Sequence, residues 1–298
     1  MSTVAAPAHS GPSAAVKKVA VVGAGTMGNG ISQAFAGSGF AVELIDVKPE
    51  LLERALATIR KNLERVAKKL SWSPEQAPAI LGRIHAGESL DVARDCQVVV
   101  EAVSEDLALK KKVFEALDRV APAGAVLASN TSSISITEIA AVTKRPDHVI
   151  GMHFMNPVPV MTLVEIIRGL TTSDETYRLT EDLTKRLGKV PVEVNDFPGF
   201  VINRVLMPMI NEAAFALMEG VASREAIDTV MKLGANHPMG PLALADMVGL
   251  DTCLSIMEVL HGGLGDDKYR PCPLLRRMVK AGHLGRKSGR GFYEYASV

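Results

Sequence analysis

Lys18-Val19-Ala20-Val21-Val22 is an apolar, largely β-branched run, and Gly23-Ala24-Gly25-Thr26-Met27-Gly28 follows it without a gap. Asn29 to Ser38 then has helical composition, and a second apolar run, Ala41-Val42-Glu43-Leu44-Ile45, ends at Asp46. No other feature restricts the folding of this chain as much. A strand buried on both faces reads as a continuous apolar run. A G-x-G-x-x-G turn at its end feeds the chain into a helix packed on the same sheet, and each glycine has a mechanical task. Gly23 permits the tight turn, Gly25 lets backbone approach a pyrophosphate, and Gly28 lets helix and strand pack closely. At the helix start, around Thr26 and Met27, N–H groups without intrahelical partners and the helix dipole favour an anion. Asp46 lies 18 residues past Gly28, where a carboxylate can take a ribose 2′-hydroxyl. It would repel a 2′-phosphate, and no arginine follows at once, although Lys48 is close. The pattern predicts a dinucleotide site that takes NAD in preference to NADP.

Strand and helix patterns continue to alternate. Val98 to Val103 reads as a strand with Glu105 just past it, and Leu107 to Val120 as an amphipathic helix carrying Lys110. Ala125 to Ala128 is a further strand, leading into Ser129-Asn130-Thr131-Ser132-Ser133. Ser135-Ile136-Thr137-Glu138 is a capping box opening a helix to about Val142, and His148 to Met152 is a strand again. Ser173 caps a helix ending near Gly188, and Pro191 marks Val190 to Val194 as an edge strand. The alternation predicts an α/β, Rossmann-type, doubly wound and mostly parallel sheet. Pro49 to Leu70 reads as one long helix whose Arg54, Lys61, Arg65 and Lys68 or Lys69 share a face. That stripe is either a solvated face or a landing strip for a phosphorylated substrate. Ser71 to Asp91 shows only turns and a short helix.

Ligands on such sheets bind beyond the carboxyl ends of the strands. Ser132 follows one strand end and His153 the next. In the stretch after Met161, alternation puts Met161, Leu163, Glu165 and Ile167 on one face. Glu165 is the lone charge there, and a buried carboxylate needs a partner. His153 is in reach, so the expectation is a general base oriented and charge-stabilised by Glu165. Taken singly, His153 would be a structural histidine and Ser132 a turn-stabilising hydroxyl; together with Glu165 they read as a site. The nucleotide fold without a G-x-S-x-G elbow argues against acyl-enzyme chemistry.

Asn195-Asp196-Phe197-Pro198-Gly199 separates the expected NAD-binding domain, residues 17–198, from an all-helical domain, 199–298. In the latter, Val205, Met209, Ala213 and Leu217 predict the buried stripe of a long helix that Pro208 kinks. Ser223 to Leu233 and Leu242 to Leu260 predict two more helices. Residues 1–16 are expected to be a disordered tail, with neither the apolar block of a signal peptide nor the arginine of a mitochondrial transit sequence. Lysines and arginines balance aspartates and glutamates at 33 each, so bulk charge supports neither a nucleic-acid nor a membrane-surface partner. No run is long enough to span a bilayer. Cys96, Cys253 and Cys272 have no redox or metal spacing, and a reducing, cytoplasmic location with no bound metal is expected.

Several separated stretches resemble the NAD-dependent L-3-hydroxyacyl-CoA dehydrogenase family. They are the glycine turn, Ser129-Asn130-Thr131-Ser132-Ser133, His153-Phe154-Met155-Asn156-Pro157-Val158-Pro159-Val160-Met161, Pro198-Gly199-Phe200-Val201-Ile202-Asn203-Arg204, and Met231-Lys232-Leu233-Gly234 with Pro238-Met239-Gly240-Pro241. Gly285-Arg286-Lys287-Ser288-Gly289-Arg290-Gly291-Phe292-Tyr293 completes the set. The resemblance runs from Lys17 to Tyr295 and implies oxidation of (S)-3-hydroxyacyl-CoA, an activity of fatty-acid β-oxidation, with 3-hydroxybutyryl-CoA as the short-chain substrate. It makes His153 the base and Glu165 its partner, with Ser132 and Asn203 hydrogen-bonding the reacting end of the substrate. Asp46 would take the adenosine ribose. Glu105, Lys110, Asn130, Asn156 and Lys287 match cofactor positions, and Arg65 and Lys69 match the segment meeting CoA. Met155 stands where many relatives carry a second Phe, and Asn62 where some have a Ser near CoA; neither change removes a chemically required group, and pocket shape is left open. A homodimer through the helical domain is also implied. The alternative is a dehydrogenase of the same fold acting on a hydroxy acid or sugar acid without CoA.

Overall fold

A computed structural model describes residues 11–296. The chain divides into two compact units between Asp196 and Phe197. Among the described residues the first unit has one eight-stranded sheet: β1 (Lys18–Val22), β2 (Ala41–Ile45), β3 (Ile84–Gly87), β4 (Val98–Glu101), β5 (Val126–Ser129), β6 (Val149–Phe154), β7 (Leu163–Arg168) and β8 (Val190–Asn195). Their order is β3-β2-β1-β4-β5-β6-β7-β8, parallel throughout except between β6 and β7. Helices α1 (Thr26–Gly37), α2 (Pro49–Leu70), α3 (Gln76–Leu81), α4 (Leu107–Val120), α5 (Ile136–Ala140) and α6 (Asp174–Arg186) complete it. The strand order turns back between β1 and β4, and there the connections leave in opposite directions and open a crevice.

Sequence and architecture agree where the apolar runs are unbroken. β4 and β5 are buried from end to end, because helices cover both faces of a parallel sheet. Pro191 lies in β8 at the sheet edge, where a missing N–H costs no ladder bond. Ser135 and Ser173 cap α5 and α6, their hydroxyls accepting from the N–H groups of Glu138 and Thr176. α5 stops at Ala140, short of the expected Val142. The opposite edge strand, β3, was not visible in the sequence: it is four residues long and two of them are exposed, too short for alternation to register. The chain leaves this unit at a fixed point, where Asp196 accepts from the N–H groups of Ile136 and Thr137 and from the Ser135 hydroxyl.

Residues 1–10 of the expected tail lie outside the described residues. From Gly11 onward the tail reading is corrected. Pro12–Ala15 forms a 3-10 turn, and the Ser13 N–H and hydroxyl both donate to Asp182 on α6. Val16 is buried. A buried hydroxyl with a carboxylate acceptor holds the segment against the sheet's flank.

The second unit contains α7 (Ile202–Met218), α8 (Arg224–Gly234), α9 (Pro241–Val248), α10 (Leu250–Leu264) and α11 (Pro273–Lys280) around its own core, including Met207, Ile210, Leu242, Leu250, Met257 and Leu275. Two expectations are corrected here. Of the expected stripe Ala213 is buried, but Val205 is 68% exposed, and the buried residues of α7 are Asn203, Met207, Ile210, Asn211, Ala213 and Ala214. A strict four-residue step rotates away from a 3.6-residue period, so a row that meets the core at Ala213 has turned off it at Val205. The single helix expected from Leu242 to Leu260 is two, because Gly249 has φ 104° and ends α9. Pro208 lies inside α7 without ending it. The C-terminal stretch hooks onto Asp246, which accepts from the N–H groups of Phe292 and Tyr293 and the Tyr295 hydroxyl. Among the described residues no helix is long and apolar enough to cross a membrane.

A Cβ at Gly28 would lie 1.7 Å from the Gly23 carbonyl oxygen, whereas one at Gly25 would meet nothing within 4 Å. Gly28→Ala should therefore destabilise the fold by about 3 kcal/mol or more, read from denaturant midpoints. Gly25→Ala should leave the midpoint unchanged or raised; equal losses for the two would contradict this packing.

Candidate active site

The glycine turn is built as the spacing requires. Gly23 has φ 104°, and a Cβ there would strike the Ala102 carbonyl at 2.5 Å. The Gly23 N–H donates to Ile45 O at 2.7 Å, joining β1 to β2. Gly25 stands before α1 without a side-chain cap, so the first-turn N–H groups at Thr26, Met27 and Gly28 remain available to an anion. Asp46 Oδ2 accepts from the Ala24 N–H at 2.8 Å and Oδ1 from the Lys48 N–H at 3.0 Å. The carboxylate braces the turn and keeps further lone pairs for a ligand hydroxyl. A cavity of about 380 Å³ opens beside it, lined by Gly23, Gly25, Asp46, Leu51, Glu88 and Val103 among others. A second, of about 360 Å³, lies on the other side of Gly25, lined by Thr26, Arg54, Thr58, Asn62, Asn156 and Val158 among others. The open space at Gly25, the bare helix end and the Asp46 carboxylate fit a dinucleotide.

β6 and β7 bring the predicted acid–base pair together. In their antiparallel register His153 stands opposite Glu165, and opposed residues share one face at close Cβ distance. His153 Nδ1 lies 2.8 Å from Glu165 Oε2, with both residues buried. A carboxylate at Nδ1 places the ring proton there and leaves Nε2 as the acceptor. The loop between the two strands contains the cis Asn156–Pro157 bond. Lys189 pins that loop, its Nζ donating to Val158 O and Met161 O at 2.7 and 2.6 Å. Burial holds Lys189 below the usual lysine range.

The Ser132 loop is tied to the same place. β5 and β6 last pair at Ser129 and Gly151. Beyond that, Asn130 Oδ1 accepts the Phe154 N–H at 2.9 Å, and Asn130 N–H donates to Glu101 O at 2.8 Å. A side-chain amide thus continues the ladder where backbone pairing stops. Glu105 Oε1 accepts from the Ser132 N–H at 2.9 Å and from the Ser132 and Ser133 hydroxyls at 3.3 Å, as well as from Thr131. Burial alone would raise the Glu105 carboxyl, but the Lys110 ammonium and the donors from Thr131 and Ser132 outweigh it and hold it below the usual carboxylate range.

Lys110 is buried, with its ammonium held by Glu101 at 2.7 Å and Glu105 at 3.4 Å. Arg65 and Lys69 are exposed along α2 and line neither cavity; Arg65 contacts Asn62. Asn203 and Lys287 belong to the helical unit. Asn203 is buried near the start of α7, and Lys287 is exposed, 2.6 Å from Asp251. Glu101 and Lys189 were missed. For Glu101 the signal was present: it is a lone carboxylate closing the apolar run Val98-Val99-Val100, the same pattern that singled out Glu165.

Residues 18–197 match the model of the 3-hydroxyacyl-CoA dehydrogenase NAD binding domain, and residues 199–295 that of the 3-hydroxyacyl-CoA dehydrogenase C-terminal domain. The chain belongs to the 3-hydroxyacyl-CoA dehydrogenase family. It is therefore an oxidoreductase with an NAD-binding domain. It is 60% identical over 280 residues to a probable 3-hydroxybutyryl-CoA dehydrogenase of Bacillus subtilis, covering 94% of this chain and 98% of that one. It is 42% identical over 287 residues to the human mitochondrial hydroxyacyl-coenzyme A dehydrogenase, covering 94% and 91%. The crystal structure of (S)-3-hydroxybutyryl-CoA dehydrogenase from Ralstonia eutropha superposes with a TM-score of 0.93 at 52% identity, over 95% of this chain and all of that one.

Asp46→Ala removes both the brace on the turn and the carboxylate facing the first cavity. The KM for NAD should rise on the order of tenfold, as for loss of a hydrogen bond to a charged group, and the preference for NAD over NADP should shrink. An unchanged NAD/NADP ratio of kcat/KM would remove Asp46 from cofactor selection.

Proposed function

We propose that this dehydrogenase interconverts (S)-3-hydroxyacyl-CoA and 3-ketoacyl-CoA, with 3-hydroxybutyryl-CoA as its short-chain substrate, and that His153 moves the proton. The observation that carries this reading is the buried 2.8 Å contact between His153 Nδ1 and Glu165 Oε2 at the carboxyl end of β6. NAD, when bound, supplies the nicotinamide that exchanges a hydride with C3 of the substrate. In the oxidation, His153 Nε2 takes the C3 hydroxyl proton; in the reduction it returns that proton to the ketone oxygen. Glu165 keeps the ring in the useful tautomer and stabilises the imidazolium formed, since a nearby opposite charge favours the charged form. We assign Ser132 and Asn203 the hydrogen bonds to the C3 oxygen and the thioester carbonyl. The CoA substrate is supported by the named relatives, by Arg54 on the wall of the second cavity, and by Arg65 and Lys69 further along α2. Exposed apolar side chains on the helical unit, such as Val205, Val230, Leu233 and Met247, support a homodimer through that unit. The three unbridged cysteines are in keeping with work in the reducing cytoplasm.

His153→Ala should lower kcat by on the order of 10²–10⁴, and Glu165→Gln should lower it strongly while NADH binding, followed by fluorescence, persists. Wild-type turnover of Glu165→Gln at saturating substrate would end the proposed pairing. In a substrate series monitored by NADH oxidation, acetoacetyl-CoA should be reduced with a higher kcat/KM than longer 3-ketoacyl-CoA thioesters and far above free keto acids. Comparable rates with a free keto acid would point to the alternative substrate class.

A further inference from the structure

We propose that Glu101 is a positioning residue for this reaction: it fixes the Lys110 ammonium at the floor of the crevice and, through it, the Glu105 carboxylate that gathers the Ser132 loop. The inference rests on the reading of Ser132 as a substrate-binding hydroxyl.

Glu101 is the last residue of β4, paired with Val22 on β1 and Ser129 on β5, and it has no solvent exposure. It therefore stands where the strand order turns back, under the crevice. Both its oxygens are engaged. Oε1 accepts from Lys110 Nζ and from the Val103 N–H, each at 2.7 Å, and Oε2 accepts from the Ser129 hydroxyl at 2.7 Å. A buried carboxylate tied from three directions is a fixed charge. The ammonium it holds also lies 3.4 Å from Glu105 Oε2 and 3.5 Å from Val103 O. One cation thus stands between two carboxylates, one immobile below and one 39% exposed at the rim.

That sharing determines what Glu105 can do. While Glu101 holds Lys110 at close range, Glu105 feels the ammonium at the longer distance and keeps Oε1 for Thr131, Ser132 and Ser133. With Glu101 neutral, Glu105 becomes the nearest carboxylate for a buried cation that needs a partner. The ammonium then moves toward Glu105 and draws the carboxylate off the loop. The Ser132 hydroxyl bond, at 3.3 Å, is among the longest in the set and is lost with little displacement. Glu101 itself lines neither cavity, although it accepts from the N–H of Val103 on the wall of the first; in this scheme it acts on the Ser132 loop through Lys110 and Glu105.

The test is a double-mutant cycle on the full-length enzyme with acetoacetyl-CoA and NADH. Glu101→Gln keeps the shape and removes the charge; kcat/KM for acetoacetyl-CoA should fall on the order of tenfold, with the NADH dissociation constant changed far less. In the Glu105→Ala background the same substitution should add nothing, whereas independent, multiplying losses would overturn the proposal. If Glu101→Gln does not fold, Glu101→Asp takes its place in the cycle: it keeps the charge but draws it back from Lys110, and it leaves the Ser129 hydroxyl to accept the Thr131 N–H. It should lose about two- to threefold, again only when Glu105 is present; a wild-type value would equally overturn it. Ser132→Ala, measured in parallel, separates the two levels. If it is impaired while Glu101→Gln is not, this inference fails and the reading of Ser132 stands. If Ser132→Ala turns over as the wild type does, the reading fails and takes the inference with it.

Discussion

One antiparallel pairing in an otherwise parallel sheet, between β6 and β7, underlies the chemistry proposed here. A parallel return would need a crossover of about a dozen residues or more, usually a helix. The short return through the Asn156–Pro157 loop sets His153 opposite Glu165 on one face. Two side chains twelve residues apart then meet at 2.8 Å. Neither is stable at that depth alone. Leaving a buried carboxylate without its donor costs about 1–3 kcal/mol or more, so the geometry is held by the same physics that makes it useful to a proton-transfer site.

Around that pair the molecule fixes loop ends with side chains where the backbone ladder runs out. Asn130 extends the β5–β6 pairing to Phe154, Lys189 holds the carbonyls of the loop that follows, and Asp196 fastens the end of the first unit onto α5. Each replaces a missing backbone partner with a directed polar bond. The result is a site on loop ends that are as constrained as the strands below them, the condition for orienting reacting groups. The glycine turn supplies a different kind of order: Gly23 and Gly28 are excluded-volume requirements, whereas Gly25 keeps space open between two cavities.

The sequence was most legible where local pattern and tertiary demand coincide. Unbroken apolar runs predicted the inner strands, hydroxyl caps predicted the starts of α5 and α6, and proline predicted an edge strand. It was least legible in the helical unit. There α7 is apolar on most sides, so the stripe through Val205 looked as good as the true one through Met207 and Ile210. Gly249 falls inside an unbroken helical pattern because nothing local announces its positive φ. β3 escaped because a short edge strand buries too little to leave a pattern.

By itself the sequence determined the dinucleotide turn, the acid at Asp46, the alternation that builds the sheet and the lone carboxylate at Glu165. These depend on residue type and spacing, and near neighbours impose them. Only the tertiary structure decided that Glu101 and Glu105 share one buried ammonium, and that Asn130 is a strap on the strand carrying His153. Those outcomes depend on which strand ends lie side by side. That adjacency is set by the order of strands in the sheet, which no local spacing encodes.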